Sequence, residues 1–120
     1  MKRMLVLFYL ALLTFGAVGV EAHAFLERAN PGVGSTVKAS PKEVSIHFSE
    51  AVEPAFSTIQ VLNAAGKEVD KRDLHLTGSD QRQLAVSLTL LRPGTYTVVW
   101  RAVSVDTHVT NGKFHFIVSR

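Results

Sequence analysis

The chain contains no cysteine, and its two methionines are Met1 and Met4. In an exported protein that composition excludes disulfides and thiolate zinc sites. It also leaves no soft sulfur donor after residue 4. No internal repeat, low-complexity linker or amphipathic helical period is visible. Charge of one sign is scarce too. The 13 Lys/Arg and 10 Asp/Glu give a net +3, and the bases are scattered, with no stripe able to track phosphates. Nucleic acid is therefore not an expected partner. Beyond residue 22 no apolar run approaches the ~20 residues that span a bilayer. With 120 residues, the chain has room for one domain.

The N-terminus is the exception to this even composition. Met1-Lys-Arg is a basic start, Met4 to Leu13 is apolar, and small residues follow at Gly16, Ala17, Gly19 and Ala22. This is the layout of a secretory signal peptide, expected over residues 1–22. An uncleaved N-terminal anchor is the competing reading. Cleavage after Val20-Glu21-Ala22 makes His23 the new terminus, whereas cleavage after Ala22-His23-Ala24 makes it Phe25. The first choice leaves a domain of residues 23–120 with a net +2. Its stability has to come from the core alone, a demanding requirement at this size.

Along that domain the pattern has period two. Val44, Ile46 and Phe48 alternate with Ser45, His47 and Ser49, and Ile59 and Val61 continue the theme. Lys67 to Asp73 reads as a charged edge strand. Leu84, Val86, Leu88 and Leu90 share one face of the next strand. Tyr96, Val98, Trp100 and Ala102 form the inner face of the longest strand, and Phe114, Phe116 and Val118 that of the last. Turn clusters stand at Asn30-Pro-Gly-Val-Gly, Asn63-Ala-Ala-Gly66, Thr77-Gly-Ser-Asp80 and Asn111-Gly112. Short strands at this spacing predict an all-β fold, an immunoglobulin-like Greek-key sandwich or small barrel of about seven strands. Pro93-Gly-Thr-Tyr96 before a Trp-bearing strand fits the tyrosine corner of such sandwiches.

Candidate chemistry lies at the end of the longest strand. Asp106 and His108 are two residues apart, and on an extended segment such side chains point the same way, with Cα atoms ~7 Å apart. They can converge on a metal or simply hydrogen-bond to each other, and for a lone Asp-x-His the second is the commoner outcome. His23 changes the choice. At a processed terminus its α-amine and imidazole Nδ1 can close a six-membered chelate ring, and a terminal amine holds its proton loosely. With His108 and Asp106 this makes an N,N,N,O set suited to Cu(II). His23 reads equally well as an incidental flexible terminus. Glu50 has the inward parity just past a strand end, where a lone charge is costly. It is either a fifth contact or neighbour of the metal, or a residue that turns to solvent beside Glu53. His47, His75 and His115 read as solvated or hydrogen-bonded surface residues. Ser104, Asp106 and His108 at i, i+2, i+4 do not have the geometry of a hydrolase triad.

Several blocks together resemble the CopC family of periplasmic copper-binding proteins of copper resistance and homeostasis. They are His23 after a leader, Asn30-Pro-Gly-Val-Gly, Ile46-His-Phe-Ser-Glu50, Pro93-Gly-Thr-Tyr-Thr-Val-Val-Trp-Arg-Ala-Val-Ser104, Asp106-Thr-His108 and Gly112-Lys-Phe-His-Phe. The resemblance spans residues 23–120. It implies a cupredoxin-like or immunoglobulin-like Greek-key fold, with one Cu(II) per chain held by His23, Asp106 and His108. It also implies a weak or neighbouring contact from Glu50. A methionine-rich Cu(I) site, found in some members, is not expected, because the segment from Asn63 to Gln81 offers only His75.

The function expected is a non-enzymatic Cu(II)-binding protein of the periplasm that buffers copper or passes it to an inner-membrane copper transporter. Two other classes stand beside it. One is a copper monooxygenase using an N-terminal histidine brace, and the other is a metal-free adhesion-type β-sandwich.

Overall fold

The computed structural model describes residues 23–120, and the leader reading of residues 1–22 lies outside them. Its strands are β1 (Leu26–Asn30), β2 (Thr36–Val37), β3 (Glu43–Phe48), β4 (Thr58–Leu62), β5 (His75–Thr77), β6 (Gln83–Ser87), β7 (Gly94–Val103) and β8 (Val109–Val118). They form two four-stranded sheets, ordered β1-β3-β6-β5 and β2-β8-β7-β4. β2 runs parallel to β8, and every other pairing is antiparallel. A 3-10 turn at Pro54–Phe56 is the one helical segment among the described residues. The architecture is the expected β-sandwich, with eight strands instead of about seven.

The core lies between the sheets and is drawn from the predicted alternation. Val44, Ile46 and Phe48 of β3 face Tyr96, Val98, Trp100 and Ala102 of β7 and Phe114, Phe116 and Val118 of β8 in one buried cluster. Two aromatic contacts organise it. The rings of Phe48 and Trp100 meet edge to face across the sandwich at 5.4 Å, and Tyr96 stacks on Phe116 at 5.5 Å. The Tyr96 hydroxyl donates to the Arg92 carbonyl at 2.6 Å, which is the anticipated tyrosine corner.

Four departures from the sequence pattern have local causes. Leu90 is 87% exposed, not inward. β6 ends at Ser87, so its parity no longer applies, and the Ser40 hydroxyl accepts the Leu91 N–H and turns Leu91 into the core instead. Residues 67–73 do not form a continuous edge strand. Isolated bridges join Glu68 to Leu62 and Asp70 to Leu88, while the edge strand β5 follows at His75. The buried Asp70 carboxylate accepts the Val61 and Arg72 N–H groups at 2.8 and 3.2 Å, and burial pushes its pKa up. β1 and β2 were hidden by the turn residues around them.

The fourth departure concerns Asn111-Gly112, which is no turn. Both residues lie inside β8, and Gly112 pairs with Trp100. A Cβ at position 112 would stand 2.8 Å from Trp100 Cζ2. This glycine exists for close approach: the indole lies against its backbone. Gly112→Val should therefore force the indole aside and cost about 1–3 kcal/mol, as overpacking does. Urea denaturation followed by Trp100 fluorescence measures this, and an unchanged midpoint would refute the packing account.

Candidate metal centre

The β7–β8 ladder closes through Ser104–His108. The Ser104 N–H donates to the His108 carbonyl and the Thr107 N–H to the Ser104 carbonyl, both at 2.9 Å. Thr107 takes a left-handed φ of 73°. Asp106 and His108 thus sit on a tight turn, not on the extended segment that the sequence suggested. Their side chains meet all the same, with Asp106 Oδ1 3.2 Å from His108 Nδ1. The buried Ser104 hydroxyl donates to the same Oδ1. That hydrogen bond, opposed by desolvation and assisted by His108, holds the Asp106 carboxyl below the usual Asp range. The turn is accordingly braced by an ionised carboxylate, and the brace is lost as pH falls through that lowered pKa.

His23 arrives from the other end of the described sequence. Its ring centroid is 4.6 Å from that of His108, at an interplanar angle of 34°. Phe25 flanks it at 5.8 Å. The segment leading into β1 is fastened on two sides. Ser49, at the end of β3, donates its hydroxyl to the His23 carbonyl at 3.0 Å and accepts the Phe25 N–H at 2.9 Å. The Ser49 N–H donates to the Phe25 carbonyl at 2.8 Å. On the β8 side the Thr110 hydroxyl donates to the carbonyl of buried Ala24.

The structure therefore gathers His23, Asp106 and His108 at one end of the sandwich. Glu50 is placed differently. The inward parity expected of it fails because β3 stops at Phe48 and the chain bends at Ser49 and Glu50. Glu50 is partly exposed and has no side-chain hydrogen bond or ion pair among the described residues, although its neighbours Ser49 and Ala51 bond to the site segment and to Val105. Among the described residues, no three His, Asp or Glu side chains converge closely enough as they lie to enclose a metal ion. The donor types nevertheless fit a borderline cation: two imidazoles in ring contact and an ionised carboxylate beside one of them. While residue 22 is joined to it, the His23 backbone nitrogen is an amide and offers no α-amine donor.

The other histidines have partners of their own. His75 Nδ1 contacts the Asp73 carbonyl at 2.7 Å, and His115 Nδ1 contacts the Thr97 hydroxyl at 3.1 Å. His47 is on the outer face as expected but is well covered, with Nδ1 3.3 Å from Glu27 Oε1 and Nε2 3.5 Å from Asp80 Oδ2. The carboxylates address opposite nitrogens of its ring, an arrangement that suits an electrostatic clamp and not a chelate. Ser104, Asp106 and His108 are in contact, yet the hydroxyl is given to the carboxylate and not to the imidazole. A Ser-His-Asp triad needs the hydroxyl bonded to the imidazole, so this arrangement is not one. Sequence reasoning missed Ser49 and Thr110. Their outward or loop positions carry no periodic signal, and only the fold brings them to residues 23–25.

A protein-family model described as the CopC domain matches residues 26–119, beginning just after the His23 segment. Protein YobA of Escherichia coli K12 is 39% identical over 112 residues, covering 91% of this chain and 90% of the relative. The crystal structure of CopC from Methylosinus trichosporium OB3b superposes with a TM-score of 0.76 at 37% identity, covering 81% of this chain and 94% of that one. PcoC, a methionine-rich copper resistance protein from Escherichia coli, superposes with a TM-score of 0.71 at 31% identity, covering 82% of this chain and all of that one. With the same sandwich, most of both chains aligned and the family pattern running from β1 through β8, this chain belongs to the CopC domain family.

Proposed function

We propose that this chain is a non-enzymatic, periplasmic Cu(II)-binding protein that buffers copper or passes it to an inner-membrane transporter. One ion per chain is held by the His23 amine and imidazole, His108 and Asp106, with Glu50 as a weak neighbouring contact. The observation that carries this reading is the ring contact between His23 and His108, residues from opposite ends of the domain. Membership of the CopC family and the similarity to PcoC, a copper resistance protein, support copper as the cargo. A site on turns and at a terminus also suits hand-over, because a partner can reach it without opening the core.

Removal of residues 1–22 is part of the proposal, since only a terminal His23 supplies an amine. The intact mass of protein recovered from the periplasm should correspond to a chain starting at His23. A start at Phe25 would remove both N-terminal donors and end the proposal.

The donors should not contribute equally. His108→Ala should abolish tight Cu(II) binding while leaving the fold intact, because the residue lies in the β7–β8 turn outside the core. Asp106→Asn should weaken binding less, and His75→Ala and His115→Ala should leave it unchanged. Copper titration by absorbance, with circular dichroism as the folding control, ranks the four. An effect of His75 or His115 equal to that of His108 would contradict the assignment.

Oxidation state follows from the donors. Amine, imidazole and carboxylate favour Cu(II), whereas thioether and thiolate favour Cu(I). Residues 23–120 contain neither Met nor Cys, in contrast to the methionine-rich PcoC. Chelator competition should show one tight Cu(II) per chain, released more readily on reduction. Affinity should also fall on acidification, as protons compete for the amine and imidazoles. A second, independent Cu(I) site in the anaerobic titration would overturn this.

A further inference from the structure

We infer that Ser49 is a positioning residue for the copper ligand His23, its hydroxyl clasping residues 23–25 so that the His23 ring is held against His108. This inference rests on the function proposed above. Ser49 is itself fixed. The Phe48 N–H donates to the Arg82 carbonyl at 2.8 Å, and the Arg82 guanidinium donates to the Ser49 carbonyl at 3.1 Å. From that anchored position a single hydroxyl serves two backbone groups. It gives its proton to the His23 carbonyl and accepts the Phe25 N–H, bridging the two ends of a three-residue segment. The Ser49 N–H to Phe25 carbonyl bond closes the same segment through the backbone.

The bonding pattern has a chemical consequence. The hydroxyl occupies the His23 carbonyl and leaves the amine and the imidazole, the two groups that form the chelate ring, unclaimed by Ser49. A processed terminus otherwise frays, and ordering it when the metal binds costs conformational entropy in each residue fixed. Ser49 meets that cost when the domain folds, so the copper ion finds His23 already beside His108. Ser49 acts through His23, its hydroxyl proton and one lone pair being committed to the backbone of residues 23–25.

The test uses the full mature protein with Cu(II) alone as the probe. In the metal-free state, Ser49→Ala should speed hydrogen exchange at the Phe25 amide while leaving amides of the β7–β8 ladder protected. The Kd for Cu(II), from chelator competition, should rise about tenfold, which is about 1.4 kcal/mol. The electron paramagnetic resonance signature of the bound ion should stay that of the wild type, because the ligands remain. Ser49→Thr, which keeps the hydroxyl, should restore both exchange and affinity. In a His108→Ala background Ser49→Ala should leave the weak residual Cu(II) affinity unchanged, because His23 then has no partner to be held against. An unchanged Kd in Ser49→Ala, or a tenfold loss that persists without His108, would overturn the positioning role while leaving the Cu(II) reading standing. A wild-type protein that fails to bind Cu(II) at all would sink both.

Discussion

The ten-pair β7–β8 ladder is the constraint on which both the core and the candidate site depend. It supplies Tyr96, Val98, Trp100, Phe114, Phe116 and Val118 to the core, and its closing turn carries Asp106 and His108. A one-residue slip in such a ladder would turn the inward side chains of the shifted strand outward. The register is pinned where Trp100 lies on Gly112, because any residue with a Cβ in the glycine's place would collide with the indole. Packing deep in the sandwich therefore decides where the turn falls, and the turn decides where the imidazole stands.

Much of this was legible in the sequence, and its limits were physical. Alternation revealed the inward residues of β3, β4, β7 and β8, because each is in regular register with a neighbouring strand and one face of each is apolar. The tyrosine corner was legible for the same reason: Pro93-Gly-Thr-Tyr96 is a local motif closed by a local hydrogen bond. Periodicity failed where pairing stopped. Leu90 kept the parity of β6 on paper but lies beyond its last ladder pair, and Asn111-Gly112 had the composition of a turn but serves the Trp100 contact. At the site, His23, Asp106 and His108 could be named from residue chemistry, and their proximity is what the fold added. Ser49 and Thr110 could not be named, because a hydroxyl bonding to a distant backbone carbonyl leaves no trace in local pattern.

Sheet edges pose a separate problem for a domain with no disulfide. β4 is the outer strand of its sheet, and an unpaired edge invites other chains. Residues 67–70 cover it without forming a full strand: the Val69 N–H donates to the Val61 carbonyl, and the Asp70 carboxylate accepts the Val61 N–H. Because burial raises the Asp70 pKa, keeping this group ionised opposes folding as pH rises from its unfolded value through its folded one. Two hydrogen bonds to backbone N–H groups offset that cost in part, since each lowers the pKa. A buried acid at this edge thus exchanges some stability near neutral pH for covering the Val61 end of β4.

The two ends of the proposed site differ in how the fold secures them. His108 belongs to a turn whose backbone and side-chain bonds are closed by the ladder itself, so its position is fixed once β7 and β8 pair. His23 lies before the first strand, where no ladder reaches, and its position depends on side-chain hydroxyls from β3 and β8. Each of these hydroxyl bonds is individually weak. In the proposed site one ligand group is thus fixed by the turn of a ladder, and the other through hydroxyl bonds to the segment that carries it. Fastening His23 as firmly as His108 would require β1 to begin at residue 23. Ladder pairing there would engage the His23 backbone nitrogen, the group the proposed chelate needs as an amine.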